Sequence, residues 1–268
     1  MERRRKRRRK RRKKLLWFFA AAIMIWFAVG RMGLWKSEVG QSLRNLSERA
    51  GFGEERFWEN ADGKYPRQLV ELAKKNPEAR GFVKDYPKKK KIRSKIKLKK
   101  DDLKGNQGSN VPLLLQWDER WGYRKYGNDY MALTGCGPTC LSMVACYTFQ
   151  NGDWNPWKVA KMAQKKGYYV DGQGSAWSLM TDGAARLGLR GSEMSCDEGV
   201  IRRTLQEGHV IICAMRPGDF TTAGHFLVLA GMQDDRRVIV NDPNSRKNSQ
   251  KSWKLSKVVP QIKNLWKY

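Results

Sequence analysis

Cys136 sits between two glycines in the run Thr134-Gly135-Cys136-Gly137-Pro138-Thr139, and the 268-residue chain holds only two histidines, His209 and His225. A helix begins at this run, with Pro138 suited to its first turn. The start of a helix gathers unpaired backbone N–H groups and partial positive charge, which favours a thiolate over a thiol. Glycines on both sides would let a carbonyl group come close to the sulfur. A buried structural cysteine accounts for the sulfur but not for the glycines and the proline. A thiolate nucleophile also needs a base. His209 follows Gly208 where a helix gives way to a strand, and reads as a capping or core residue. His225 opens the apolar run that ends at Gly231, so it stands at the lip of a sheet and is the favoured base. If the hairpin after it turns at Asp234-Asp235, His225 lies opposite Asn244. Asp242 then sits on the same face at a diagonal of roughly 7–8 Å between backbones. Either residue could accept from the imidazole N–H and fix its tautomer. Read as turn chemistry alone, Asn241-Asp242-Pro243-Asn244 explains the proline but not the pairing.

The elements that must carry these residues follow from periodicity. From about Val111 the chain reads as one globular domain. Its first helix places Leu141, Val144, Ala145 and Thr148 on an apolar stripe and stops at Asn151-Gly152. A second helix opens at Asn155-Pro156 and closes at Gly167. A third runs from about Ala176 to Leu187 and closes at Gly188, and a fourth runs from Asp197 to Glu207 and closes at Gly208. The period then changes: His209 to Met215, Gly224 to Gly231 and Arg237 to Asn241 are short strand-like runs. Helices followed by strands predict an α+β domain with an antiparallel sheet. Trp154, Trp157, Tyr168, Tyr169 and Trp177 either line a cleft or fill the core. The five cysteines, an odd number without a Cys-x-x-Cys pair, exclude a full disulfide framework. Two histidines without neighbouring donors argue against a zinc site.

The net charge of +28 is concentrated rather than spread. Residues 1–14 hold twelve Lys or Arg and one Glu, and residues 84–104 hold eleven Lys or Arg and three Asp, together 19 of the 28 charges. Between Leu15 and Trp35 an apolar run, broken only by Arg31 near its end, has the length and flanking Trp17 and Trp35 of a membrane helix. The basic excess ahead of it places the N-terminus in the cytoplasm against anionic inner-leaflet lipid, rather than on nucleic acid. Cleavage after Ala28-Val29-Gly30 is the competing reading. Tyr65 to Tyr86 predicts two short helices, the second opened by Asn76-Pro77. The basic run that follows, with Ile92, Ile96 and Leu98, predicts a solvated linker or an edge strand. Its lysines could also grip phosphate-rich wall polymers or lipid headgroups.

Four runs in this order resemble a known family: Gln116-Trp117-Asp118-Glu119-Arg120-Trp121, the Gly-Cys-Gly-Pro-Thr element, Gly224-His225-Phe226-Leu227-Val228-Leu229 and Asn241-Asp242-Pro243-Asn244-Ser245. They are similar to the papain-like cysteine peptidases that include the bacteriocin leader peptidases cutting after double glycine, and more narrowly to a stand-alone, membrane-anchored branch in Gram-positive bacteria. The resemblance covers about Val111 to Tyr268, and residues 65–86 resemble the short helical region that often precedes such domains. It implies an α+β papain-like fold with helices packed on an antiparallel sheet, preceded by one transmembrane helix. It further implies Cys136 as nucleophile, His225 as general base and acid, Asp242 as the residue orienting that histidine, and Gln116 as side-chain donor of the oxyanion hole. No cofactor or metal is expected. The resulting division is a cytoplasmic polybasic segment (1–14), a signal-anchor helix (15–35), a stalk with helical pre-domain and basic linker (36–110), and a peptidase domain (111–268). A monomer on the outer face of a bacterial membrane, cutting a peptide or peptide stems of the cell wall, is the expected whole. A catalytically idle wall-binding module and a transpeptidase or other acyl transferase are the alternatives. Bacteriocin-exporting members carry transporter membrane domains and an ATPase after the peptidase; these 268 residues contain neither, so cleavage coupled to export is not expected.

Overall fold

A computed structural model describes residues 58, 61, 63–91 and 94–268. The expected polybasic segment, the membrane helix over 15–35 and most of the stalk lie outside the described residues. Among the described residues, no helix is long and apolar enough to cross a membrane. The chain divides into two units, Met1–Asn60 and Ala61–Tyr268, and all the described residues except Trp58 belong to the second.

This unit opens with α1 (Arg67–Lys75), which buries Leu69, Val70, Leu72 and Ala73. The helix stops at Asn76, whose side-chain oxygen accepts the Glu78 N–H at 3.1 Å and starts a 3-10 turn over Pro77–Ala79. Helix α2 (Arg80–Lys89) then buries Phe82, Val83 and Tyr86. The basic run departs here from a solvated linker or edge strand. Lys84 to Lys89 belong to α2, and Leu98 enters the core at 6% exposure while most of the described lysines around it face water. Gly152 makes the room: a Cβ there would lie 2.7 Å from the Leu98 Cβ. Asp102 anchors the end of the run through two bonds from the Arg120 guanidinium, at 2.8 and 3.0 Å.

A small hairpin, β1 (Lys125–Tyr126) with β2 (Asp129–Tyr130), leads into the single-turn α3 (Met131–Thr134) and then α4 (Cys136–Phe149). Every residue of α4 from Gly137 to Cys146 is buried, so the helix is wrapped on all sides rather than striped; Thr148, expected on the apolar stripe, is exposed. Its stop is Gln150 in the left-handed region (φ 53°), ahead of the expected Asn151-Gly152. Helix α5 (Pro156–Lys165) starts as expected, with the Asn155 side chain accepting the Lys158 N–H at 3.1 Å. A second small hairpin joins β3 (Tyr169–Val170) to β4 (Gly174–Ser175). The helix predicted over 176–187 is broken at Thr181 into a 3-10 turn (Trp177–Met180) and the single-turn α6 (Asp182–Ala185). After β5 (Ser192–Glu193), α7 (Glu198–Gln206) is capped by Asp197, which accepts the Val200 N–H at 2.9 Å.

The remaining strands are β6 (Ile211–Met215), β7 (His225–Met232), β8 (Arg237–Asn241), β9 (Trp253–Lys254) and β10 (Ile262–Lys267), with single-turn helices α8 (Arg246–Ser249) and α9 (Leu255–Val258) between β8 and β10. They form an antiparallel sheet in the order β5-β10-β6-β7-β8-β9. Ile212, Ala214, Phe226 and Val228 share one core with α4, which packs on β7, while Ile211, Cys213, Leu227, Leu229, Val238 and Val240 share a second core with α7 on the other face. Both faces are therefore dry, which is why Val210 to Met215 is apolar without alternation. Each fully buried Val, Leu or Ile stabilises by roughly 1.5–3 kcal/mol over an exposed one, and this two-sided packing fixes where the strand ends point. The α+β class with helices on an antiparallel sheet is as the sequence predicts; β10, inserted between β5 and β6, was not foreseen.

Candidate active site

Cys136 is the first residue of α4, with Gly135 at the cap position, and it is only partly buried. The flanking glycines have a packing reason that differs from the expected substrate access. A Cβ on Gly135 would lie 2.4 Å from the Met131 carbonyl oxygen, and one on Gly137 would lie 2.7 Å from the Ser175 hydroxyl. Gly135 thus lets α3 turn directly into α4. Gly137 lets β4 press against the first turn, where the Ser175 and Tyr126 hydroxyls are bonded at 2.9 Å. The Thr139 hydroxyl donates back to the Gly135 carbonyl at 2.7 Å and steadies the same turn.

His225 opens β7 opposite Met215 and is 8% exposed. Its Nε2 meets Asp242 Oδ1 at 2.7 Å, which leaves Nδ1 as the ring nitrogen free to act on Cys136. Burial alone would push the Cys136 thiol up. The hydrogen bond and charge of His225, with the N–H groups of Phe226 and Gly137, outweigh it and hold the thiol below its ordinary value. Burial would likewise lower His225, but the charge and hydrogen bond of Asp242 and the contact with Cys136 raise it. For Asp242, burial raises and His225, Asn248 and the Asn244 N–H lower, with a net shift downward. The three groups favour a thiolate, an imidazolium and a carboxylate side by side.

Of the two candidates for the imidazole partner, the structure brings Asp242 to His225. Asn244 lies past the end of the ladder and donates its backbone N–H to Asp242 Oδ1 at 2.8 Å. Asp242 is 1% exposed and both its oxygens are occupied, Oδ2 by the Asn248 amide at 2.8 Å. The register that aligns these strands arises differently from the symmetric turn expected. The Asp234 carbonyl accepts the Arg237 N–H, so the turn centres on Asp235-Arg236. A bulge between Leu229 and Gly231, with Gly231 at φ 149°, brings Val228 opposite Asn241. The ladder stops at that pair, short of the expected His225–Asn244 rung.

Gln116 is 3% exposed and bridges the two halves of the site. Its backbone N–H donates to the Pro243 carbonyl at 2.8 Å, and its Nε2 donates to the Ala132 carbonyl, in α3, at 2.8 Å. The same nitrogen makes a longer contact of 3.4 Å with the Leu133 carbonyl, and Oε1 is buried with no hydrogen-bonding partner. His209, the other histidine, is exposed and its Nδ1 bonds the Tyr268 carbonyl at 2.7 Å, tying down the C-terminus away from the site. All five cysteines are free. Burial pushes Cys140 and Cys213 well above the ordinary thiol value, the reverse of Cys136. Of the five aromatic residues that could line a cleft, Trp154, Trp157, Tyr168 and Tyr169 pack on the helical core, and Trp177 is 40% exposed.

Asn248 is the site residue that sequence reasoning missed. Ser245 accepts the Asn248 N–H at 3.0 Å and caps α8; the Ser-x-x-Asn spacing signals that cap, but nothing in it signals the amide reaching Asp242.

The model of the Peptidase_C39 like family matches residues 109–268. No curated protein matches the chain. Among solved structures, the chain is similar to the peptidase domain of Streptococcus ComA, a bi-functional ABC transporter involved in a quorum sensing pathway. The identity is 17%, the match covers 50% of this chain and 90% of that one, and the TM-score is 0.40.

Proposed function

This chain belongs to the Peptidase_C39 like family, and on that premise we propose that it is a cysteine endopeptidase working through Cys136, His225 and Asp242. The observation that carries the reading is the buried His225–Asp242 bond of 2.7 Å, together with Cys136 at the helix start, whose thiol His225 helps to hold below its ordinary value. The Cys136 thiolate attacks the scissile carbonyl carbon. The Cys136 backbone N–H, at the start of α4, and the Gln116 amide, on giving up its long 3.4 Å contact with the Leu133 carbonyl, receive the negative charge that develops on the carbonyl oxygen. His225, held as imidazolium by Asp242, gives its proton to the departing amine and leaves a thioester on Cys136. The neutral imidazole then takes a proton from water, which attacks the thioester carbonyl and releases the acid.

The substrate side rests on sequence. The apolar run over 15–35 behind twelve basic residues supports a single-pass anchor with the catalytic unit outside the cell, where peptides and cell-wall peptide stems are within its reach. The test is incubation of the full chain with purified wall fragments and a peptide library, with cleavage sites read by mass spectrometry. Cys136→Ala is expected to abolish both hydrolysis and iodoacetamide labelling at that peptide below pH 7. Retained hydrolysis in Cys136→Ala removes the sulfur from the chemistry. Ligand retention without turnover in the wild type favours an idle binding module.

A further inference from the structure

The loop that carries Asp242 is held from outside the family-matched residues. The Asn76 amide donates to the Asn244 carbonyl at 2.7 Å and to its side-chain oxygen at 3.2 Å. Glu78 accepts the Ser245 hydroxyl at 2.5 Å and the Lys247 N–H at 3.2 Å. These residues are one bond away from Asp242. The Asn244 N–H goes to Oδ1, and Ser245 caps α8, whose Asn248 amide goes to Oδ2. Asn76 also accepts the Glu78 N–H through its side-chain oxygen, so one amide fixes both ends of the clamp. Trp117 shares the load through its Nε1–H on the Asn244 carbonyl at 3.0 Å.

We propose that Asn76 and Glu78 are positioning residues that hold the Asn244–Asn248 loop so that the Asp242 carboxylate stays aimed at His225, which makes the two-helix segment ahead of residue 109 a working part of the site. This rests on the peptidase reading above. Two of the three bonds onto the carboxylate come from this loop, so releasing it costs orientation without removing any reacting group. Misplacement of a catalytic group by about 1 Å is enough for a hundredfold loss, and loss of an outer partner typically costs about tenfold or more. The ionisable groups about the sulfur are His225, Asp242, Tyr126 and Cys140, and neither Asn76 nor Glu78 touches it. A change in its behaviour would therefore arrive through the loop.

The test uses the full chain and follows iodoacetamide labelling of Cys136 from pH 5 to 10, beside turnover of a cleaved peptide. In the double variant Asn76→Ala, Glu78→Ala, labelling at pH 6 is expected to fall about tenfold, with labelling at pH 10 unchanged, and kcat to fall with it. Glu78→Gln keeps the acceptor oxygen and is expected to restore the wild-type profile in an otherwise unaltered chain. An unchanged pH profile in the double variant overturns the proposal. If that variant unfolds, seen as labelling of buried Cys140 and Cys213, the single Glu78→Ala decides by the same criterion. A wild type that labels readily at pH 6 but cuts no peptide refutes the peptidase reading and leaves the positioning role measurable.

Discussion

Replacing Asp242 with Asn separates charge from shape in the site. The side chain keeps an oxygen for His225 and the Asn244 N–H, and its new Nδ2 meets Asn248 once that amide turns over. The 2.7 Å Nε2–Oδ1 bond sets the charge centres about 4 Å apart, where a unit pair is worth about 4 kcal/mol at an effective dielectric of 20. A neutral hydrogen bond returns about 1 kcal/mol of this. The remaining 3 kcal/mol or so disfavours the imidazolium, and with it the thiolate, by about two orders of magnitude at 1.36 kcal/mol per tenfold. Asn also escapes the desolvation cost of a carboxylate that is 1% exposed, so folding stability is expected to change much less than activity. The assay pairs kcat/KM on a cleaved peptide with iodoacetamide labelling of Cys136 at pH 6 and a thermal melt. A fall of about a hundredfold in the first two with a nearly constant Tm is expected. A variant within about threefold of wild type in both rates would mean that Asp242 acts only as a hydrogen-bond acceptor, and the electrostatic account would be wrong.

The pH profile of kcat/KM should be bell-shaped: its acid limb is protonation of a Cys136 thiolate held below the ordinary thiol value, and its alkaline limb is loss of the proton from a His225 held above 6.5. A profile that rises only above pH 8, as for an unassisted thiol, contradicts the pairing. Gln116→Ala should lower kcat by about 10²–10³ with little change in KM; an unchanged kcat takes the amide out of the oxyanion hole. Gly137→Ala would drive a Cβ to 2.7 Å from the Ser175 hydroxyl, and an overpacking cost of about 1–3 kcal/mol should appear in denaturant unfolding. Leu98→Ala should cost about 2–3 kcal/mol in the same measurement, since the side chain is 6% exposed within the core; a loss below about 0.5 kcal/mol, the size of a surface change, would return the basic run to a free linker.

What was legible in the sequence was local or repetitive. Cys136 at a helix start, the apolar strands and the caps at Asn76, Asn155 and Asp197 each declare themselves within four residues. Hairpin register, propagated from its turn, narrowed the partner of His225 to Asp242 or Asn244, and only the family resemblance chose Asp242. Yet the true turn lies at Asp235-Arg236, and the bulge before Gly231 supplies the compensating shift, which no periodicity announces. The charge of residues 84–104 hid the apolar residues within it, so a helix end and a core leucine read as a linker. The clamp on Asp242 had no signal at all, because Asn76 and Asn244 are 168 positions apart and a single polar bond at that separation leaves no repeat in either segment. Bonds of this kind are the ones that decide geometry at the site. Covering both faces of the sheet fixes the strand ends only as far as packing is indifferent to a few tenths of an ångström, and the last adjustment of a carboxylate toward an imidazole falls to directional bonds from whatever backbone and amide groups lie nearest.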